Sequence, residues 1–434
     1  MDTEHPAPGA GGQHAGTRRR ARPLVAVLVV LAALAAACSD DPSSEQTVSL
    51  RVMMTDDWVT EPFLAAVRDF ESSHPNVRVN VETTPISHML DTVSAAVKSG
   101  NSPDVVQAHA FSAAAQSLAQ QVDDLWAADK PLDTSEFLPG AMDDVTWAGR
   151  LYGVPLDTNA LFLLYNAEHY SAAGMAGPKG RISFDQFEQA ARALTTDDGN
   201  RRALAMPTST WWTYGWIRAA GGDLMRVGPD GKVQLTFDDP GAVAALGFLS
   251  RLVRDGLAHP PTAADSHSDD AFTLFREARA STLASGSWDL AAVRRLPGGS
   301  RFETALLPSG TAAGGGSVMG GSSLFVPTGS RHRDLAFEFM THLVSDTYAL
   351  RLAKEEGRLP VRPRLYEDPF FDRPELTAVI DQLPSASPMK LTAFPEAHQV
   401  FADAVDRVLR AGEDPATVMA DAQRRAQALL PASP

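Results

Sequence analysis

The residues best placed for chemistry are polar groups set between apolar runs. Asp157, Thr158 and Asn159 stand between a turn at Gly149 and Gly153, extended through Val154-Pro155, and an apolar run from Ala160 to Tyr165. Apolar runs of this kind feed buried strands, so the triplet suits a chain leaving one core and entering another across a cleft. An ordinary strand-loop-strand fits the stretch, taken alone, equally well. Asp56, Asp57 and Trp58 follow a β-type run, Trp211, Trp212 and Tyr214 crowd one short segment, and Gly286-Ser287-Trp288 forms a glycine-led turn. Aromatic rings remove flat apolar faces from water at low conformational cost. Carboxylates and amides exchange hydrogen bonds with neutral polar partners, the charged acceptors more strongly.

Nucleophile and metal chemistry find less support. The chain holds no Gly-x-Ser-x-Gly, no His-Glu-x-x-His, no P-loop and no Gly-x-Gly-x-x-Gly. His259, Asp265, His267, Asp269 and Asp270 form a loose cluster after Pro260-Pro261, which reads as a solvated polar loop rather than a metal site. Spacing alone does not exclude a pair of acids acting as in a glycoside hydrolase among 53 carboxylates.

The elements that must position these groups belong to a large acidic protein. At 434 residues the chain has room for two ordinary domains, and 44% hydrophobic with 21% charged residues is a globular composition. A net charge of −15 disfavours nucleic acid and anionic lipid as partners through basic patches. Arg18, Arg19, Arg20 and Arg22, the apolar run Leu24 to Ala37 and then Cys38 have the layout of a bacterial lipoprotein leader. Leu34-Ala35-Ala36-Ala37-Cys38 resembles a lipobox, with leucine one position earlier than usual. Cys38 is the only cysteine, so the chain forms no internal disulfide and no cysteine zinc cluster. Residues 1–37 are thus expected to be a signal peptide, Cys38 the lipidated residue, and residues 38–46 a polar tether to the membrane.

Beyond the tether, strand and helix patterns alternate. Val48 to Met54, the alternating Val77, Val79 and Val81, and Pro103 to Gln107 read as strands, with helical spacing at Phe63, Val67 and Phe70 and at Leu90, Val93 and Val97 between them. Ser183 to Gln186 is a capping-box pattern and Asp239-Pro240 a helix start. Ala203 to Met206, Thr304 to Pro308 and Ser323 to Pro327 read as strands, Ser309 to Ser317 as a glycine-rich loop, and Pro395 to Leu430 as helical. Such alternation predicts an α/β fold with helices on the faces of parallel sheets.

Pro103-Asp104-Val105-Val106, Leu151-Tyr152-Gly153-Val154-Pro155, Leu164-Tyr165-Asn166, Gly221-Gly222, Gly286-Ser287-Trp288, Leu307-Pro308, Gly320-Gly321-Ser322-Ser323 and Gly357-Arg358-Leu359-Pro360 follow one another in a specific order. In that order and spacing the chain resembles the family 1 extracellular solute-binding proteins of ABC importers, the maltose-binding-protein-like sugar receptors, over nearly its whole length. The resemblance implies a two-lobed periplasmic-binding-protein fold (type II). Each lobe would be a mainly parallel sheet flanked by helices, with hinge crossings between them and closure on ligand. By analogy, lobe one holds residues 46–157 and 304–345 and lobe two residues 160–303 and 346–434, with later crossings near Glu303 to Pro308 and Ser345 to Thr347. It implies no cofactor and no catalysis, a monomer, and a sugar or oligosaccharide passed to permease subunits.

A pyranose offers apolar C–H faces and a rim of hydroxyls, which aromatics, carboxylates and amides complement. The resemblance places Trp58, Trp211, Trp212 and Trp288 at cleft positions, with Tyr214 as an alternative to Trp211 or Trp212. Core packing is the competing reading for each, and Trp216 reads as core. Asp56, Asp57, Asp157, Thr158 and Asn159 are the polar candidates, and Ser287 accompanies Trp288. After the third strand, where the family offers a tryptophan, this chain has Gln107, Ala108 and His109. Gly320, Gly321 and Ser322 would admit backbone close to ligand, or form a tight loop before a strand. A polyol phosphate would want convergent arginines; Arg358 and Arg362 lie in the right broad region, but no basic cluster faces the expected hinge. A polyamine would want the acids with the aromatics.

Overall fold

The computed structural model describes residues 47–128, 132–207, 209–260, 268–296, 301–311 and 315–430. The expected signal peptide, Cys38 and the tether lie outside these, as do Asp265 and His267 of the loose acidic cluster. Among the described residues no helix is long and apolar enough to cross a membrane, and no group of His, Cys, Asp and Glu is arranged to hold a metal ion.

Two sheets organise the chain. The first runs in the order Ala386–Ser387, Ser317–Phe325, Val105–Ala108, Val48–Met54, Val77–Thr83, and Gly153–Ala160 also pairs with Ser317–Phe325. Val48–Met54 is parallel to both of its neighbours, with Val52 opposite Val81 and Val105. Ser317–Phe325 runs antiparallel to Val105–Ala108 and to Gly153–Ala160. The second sheet is ordered Phe302–Ala305, Phe162–Asn166, Ala280–Ser285, Arg202–Ala205. It is mixed: Phe162–Asn166 is antiparallel to both neighbours, and Ala280–Ser285 is parallel to Arg202–Ala205. The mixture follows from entry by direct crossing, since Gly153–Ala160 runs straight on into Phe162–Asn166 without a βα crossover.

That crossing resolves the stretch around Asp157. Thr146–Trp147 and Arg150–Leu151 form a small hairpin, turned by Ala148 and Gly149 in the left-handed region. Past Ala160, alternation sends side chains to two different cores. Leu161, Leu163 and Tyr165 pack with Phe184, Phe187, Trp216 and Phe248, whereas Phe162 and Leu164 pack with Phe275 and Phe302. Both faces of the strand are covered, which is why the sequence there is continuously apolar.

Helix signals correspond to observed starts. Ser183 and Gln186 complete a capping box on Phe184–Leu194, and the Asp239 carboxylate caps Pro240–Arg254 with proline in the first turn. The helical tail is two helices, Pro395–Leu409 and Pro415–Gln427, because Asp414 and Pro415 start a new cap after Gly412 at positive φ.

Two boundaries differ from expectation. Thr304 and Ala305 pair with Leu164 and Leu163 in the second sheet, so the return crossing lies after Ala305, within the stretch leading to Ser317. Helix Asp346–Glu356 packs on Glu61–Ser73 beside the first sheet, where the Tyr348 hydroxyl bonds Asp69, rather than starting the second lobe. Apolar Tyr348 and Leu352 find their burial in that core.

Candidate ligand-binding cleft

A cavity of about 290 Å3 is lined mainly by residues on and next to the first sheet and, from the side of the second, by Trp288. Its polar floor is built at the carboxyl ends of Val48–Met54 and Val105–Ala108, the place where open α/β sheets bind ligands. Thr55 donates through its backbone N–H to Gln107 Oε1 at 2.9 Å and through its hydroxyl to Asp57 Oδ1 at 2.5 Å. Gln107 Nε2 donates to Ser322 Oγ at 3.2 Å, and Ser322 donates from both its hydroxyl and its N–H to Asp157 Oδ1 at 2.9 and 2.8 Å. One hydrogen-bonded row therefore runs from Asp57 to Asp157. Such a row holds its acceptors in fixed directions before any ligand arrives.

Arg358 gathers the row's acids. Its Nη2 donates to the Asp57 carbonyl at 2.8 Å and to Asp57 Oδ2 at 2.9 Å, Nε donates to Glu356 at 3.2 Å, and Nη1 stands 3.8 Å from Asp157 Oδ2. Partial burial would raise the Asp57 carboxyl, but the Thr55 hydroxyl and Arg358 hold it below the ordinary aspartate range. Deeper burial prevails at Asp157 and pushes its carboxyl up, against the pull of Arg358 and Ser322. His109 Nδ1 lies 2.7 Å from Asp144 Oδ1, and the other oxygen of this buried carboxylate accepts from the Ser323 hydroxyl at 2.7 Å. Burial disfavours an imidazolium here, yet the charge and hydrogen bond of Asp144 raise the His109 pKa.

The aromatic side comes from the second sheet. Trp288 follows Ala280–Ser285 and is 42% exposed. Its ring lies 5.7 Å from Trp211 and 6.0 Å from Trp212, both on helix Thr210–Ala219. A Cβ on Gly286 would fall 2.2 Å from the Trp288 ring, so glycine is what lets the indole fold back over the strand end.

The residues expected at the site divide into several groups. Asp57, Trp58, Gln107, His109, Asp157, Asn159, Trp288, Gly321 and Ser322 all line the cavity. Asp56 is exposed and outside the lining. Thr158 is buried on the opposite face of the strand from Asp157 and Asn159, as period-two alternation requires, and its N–H bonds the Leu359 carbonyl. Tyr214 is a core residue, 2% exposed with its hydroxyl on Asp223, and burial raises its phenol pKa. Trp212 is half-buried and donates to the Ala284 carbonyl at 3.2 Å. Trp211 backs the strand at Gly320, where a Cβ would meet its ring at 3.2 Å. Ser287 gives its N–H to Asn159 Oδ1 at 3.3 Å and lines a neighbouring cavity rather than this one.

Gly320, Gly321 and Ser322 sit inside strand Ser317–Phe325 rather than in a loop before it, and the register slips by a bulge between Ser322 and Ser323. Trp58 is 2% exposed and its ring is covered by Arg358, so it is a wall and not a free stacking face.

Thr55, Asp144 and Ile86 were not singled out for the site by sequence reasoning, and Arg358 was named only as an arginine that a phosphate would want. Arg358 belongs to a quoted motif, but nothing local ties it to Asp57, 301 residues away. Asp144 lies behind His109 with no distinguishing pattern around it, and Ile86 is a lone exposed apolar residue at the rim.

Comparison with known proteins agrees with this architecture. Residues 65–378, more than half of the chain, match the family described as bacterial extracellular solute-binding protein. An uncharacterized lipoprotein in the oleD 5′ region of Streptomyces antibioticus is 25% identical over 382 residues, 85% of this chain and 84% of the relative. The maltodextrin-binding protein of Bacillus subtilis is 22% identical over 373 residues, 84% of this chain and 86% of the relative. The solved structure of the sugar-binding protein MalE from Xanthomonas citri superposes with a TM-score of 0.78 at 22% identity, covering 88% of this chain and 97% of its own. The likeness in structure fixes a two-lobed periplasmic-binding-protein fold, and the family match takes in the second sheet, the crossing between the sheets, and the first sheet except strands Val48–Met54 and Ala386–Ser387. The chain belongs to the bacterial extracellular solute-binding protein family.

Proposed function

We propose that this protein is the extracytoplasmic receptor of an ABC importer, binding a carbohydrate in the cleft and delivering it to permease subunits. The observation that carries the reading is the pairing of an exposed indole, Trp288, with the fixed row from Asp57 to Asp157. A pyranose stacked on Trp288 would turn its hydroxyl rim toward carboxylates, the Gln107 amide and His109. The Bacillus subtilis relative is named for binding maltodextrin, and the Streptomyces antibioticus relative is named a lipoprotein. These support a glucan-type ligand and anchoring through lipid on Cys38. The leader, the lone cysteine and the family are consistent with a monomer held at the membrane surface.

A second reading has one observation in its favour. Asp57, Asp157 and Glu356 surround a single guanidinium, Arg358, so carboxylates outnumber the cation. An amine-bearing ligand such as a polyamine would relieve that excess, whereas a polyol phosphate would meet an arginine already engaged.

Calorimetric titration against maltodextrins, monosaccharides and spermidine separates these ligands. Saturable sugar binding without release of reducing ends supports a receptor. Turnover of the oligosaccharide would overturn it in favour of a glycoside hydrolase, and binding of spermidine alone would favour the amine reading.

A further inference from the structure

A second polar cavity, of about 640 Å3, shares no lining residue with the cleft. Pro139, Gly140 and Asp143 line it from helix Pro139–Asp144, which packs on the first sheet; Arg218 comes from helix Thr210–Ala219, which packs on the second core. Arg181, Gly221, Gly315–Gly316 and the segment from Pro384 to Ser387 complete it. Strand Ser317–Phe325 links the two cavities. From Gly316 to Ser322 is about 20 Å at the usual rise of a strand.

The charges around this cavity do not balance. Asp143 is neutralised by Lys390 Nζ at 2.5 Å, and Arg218 Nη1 is satisfied by Asp223 and the Gly222 carbonyl, each at 2.9 Å. Arg181 has no carboxylate within 4 Å among the described residues. Its Nη1 reaches only the Leu307 carbonyl at 3.3 Å and Gln382 Oε1 at 3.5 Å. Half-burial without a counter-charge pushes its guanidinium pKa down. Arg218 Nε is buried with no acceptor among the described residues, and Arg218 Nη2 only touches Ser387 Oγ at 3.4 Å. Taking a guanidinium out of water without a partner is costly. Arg181 is such a group. Arg218, though paired with Asp223, lines the same polar cavity with Nη2 engaged only by Ser387. With the Ser385 and Ser387 hydroxyls, the two side chains offer the planar donors that oxyanions accept in pairs.

We propose that this cavity is a second ligand site, for a small molecule carrying a phosphate or carboxylate group, held by Arg181 and Arg218 with Ser387. The oxyanion supplies the negative charge that Arg181 lacks, Arg218 and Asp143 being already paired with Asp223 and Lys390. The site is independent of what the cleft binds.

The test is thermal melting and calorimetry with inorganic phosphate, glucose 1-phosphate and citrate, each against chloride at matched ionic strength. A saturable rise in melting temperature is expected with at least one anion, and the arm that binds most tightly identifies the source. Arg181→Met should weaken that binding by roughly tenfold or more, and Arg181→Lys by less, because a point charge replaces a planar fork. Ser387→Ala, which disturbs no backbone contact, gives a second variant that should weaken binding should Arg181→Met fold poorly. The absence of a saturable effect in the wild-type protein, or an equal effect in all variants, would overturn the proposal.

Discussion

The Arg358 guanidinium lies 3.9 Å over the ring of Trp58 while donating to Asp57. One side chain therefore covers the indole that a ligand would otherwise meet and gathers the carboxylates at one end of the polar row. Arg358→Ala should uncover Trp58 and leave Asp57 and Asp157 facing each other without a shared cation. Loss of the cation–π contact and of the hydrogen bonds it anchors should destabilise the fold by about 1–2 kcal/mol. Urea unfolding monitored by tryptophan fluorescence measures this directly. A variant as stable as the parent, with unchanged emission, would show that the stacking contributes nothing.

Trp288 is the exposed ring of the cluster, with Trp211 tilted against it and Trp212 edge-on. Trp288→Ala should cost about 2 kcal/mol or more of binding, some thirtyfold in Kd, as buried aromatic anchors do. Far-UV dichroism and melting should stay close to the parent, since a half-exposed side chain contributes little to the core. Unchanged affinity for the ligand found by titration would remove Trp288 from the site.

Much of the fold was legible because its signals are local. The capping box at Ser183, the proline start at Pro240 and the apolar run from Ala160 to Tyr165 each act within a few residues, and each marks an element observed. The site was legible in part. Asp157 and Asn159 line the cleft, yet Thr158 between them does not, because membership of a strand fixes which alternate residues face together. Tyr214 shows the opposite failure. In a helix its direction is set by 3.6-residue turns, which send it to the core while Trp211 and Trp212 stay nearer the surface. Arg358 and Asp144 could not be assigned from local pattern, since their partners are 301 and 35 residues away and pairing depends on tertiary approach.

The His109–Asp144 pair predicts a pH dependence with a definite sign. The folded state raises the His109 pKa, so it favours the imidazolium. That stabilisation is fully present below the ordinary histidine value of about 6.5 and is lost as pH rises through the folded value. Asp144→Asn removes the charge that raises it, while the amide oxygen can still accept from Ser323. The stability gap between parent and Asp144→Asn should therefore be larger at about pH 5.5 than at about pH 8.5. Denaturant titrations at the two values measure the gap, and histidine proton resonances followed across the range locate the shift. A gap independent of pH would show that Asp144 acts only through its bond to Ser323.

Gly321 is where backbone geometry and the site meet most tightly. Its φ is +105°, a region that L side chains rarely adopt, and a Cβ there would fall 2.3 Å from the Asp157 carbonyl oxygen. The neighbouring Ser322 N–H must reach Asp157 Oδ1 at 2.8 Å for the polar row to close. Gly321→Ala therefore strains the backbone by about 1–3 kcal/mol and, because the obstructing atom is backbone, also pushes the two crossing strands apart. Destabilisation of that order should accompany a loss of ligand affinity larger than the loss of stability alone would produce. The Ser322–Asp157 bonds are displaced even in the molecules that remain folded. The control is Gly412→Ala, also at positive φ but with nothing within 4 Å of the added carbon. It carries the conformational cost without the clash, so it should lower stability and leave affinity unchanged. Equal affinity losses in the two variants would show that the close approach at Gly321 has no part in shaping the cleft.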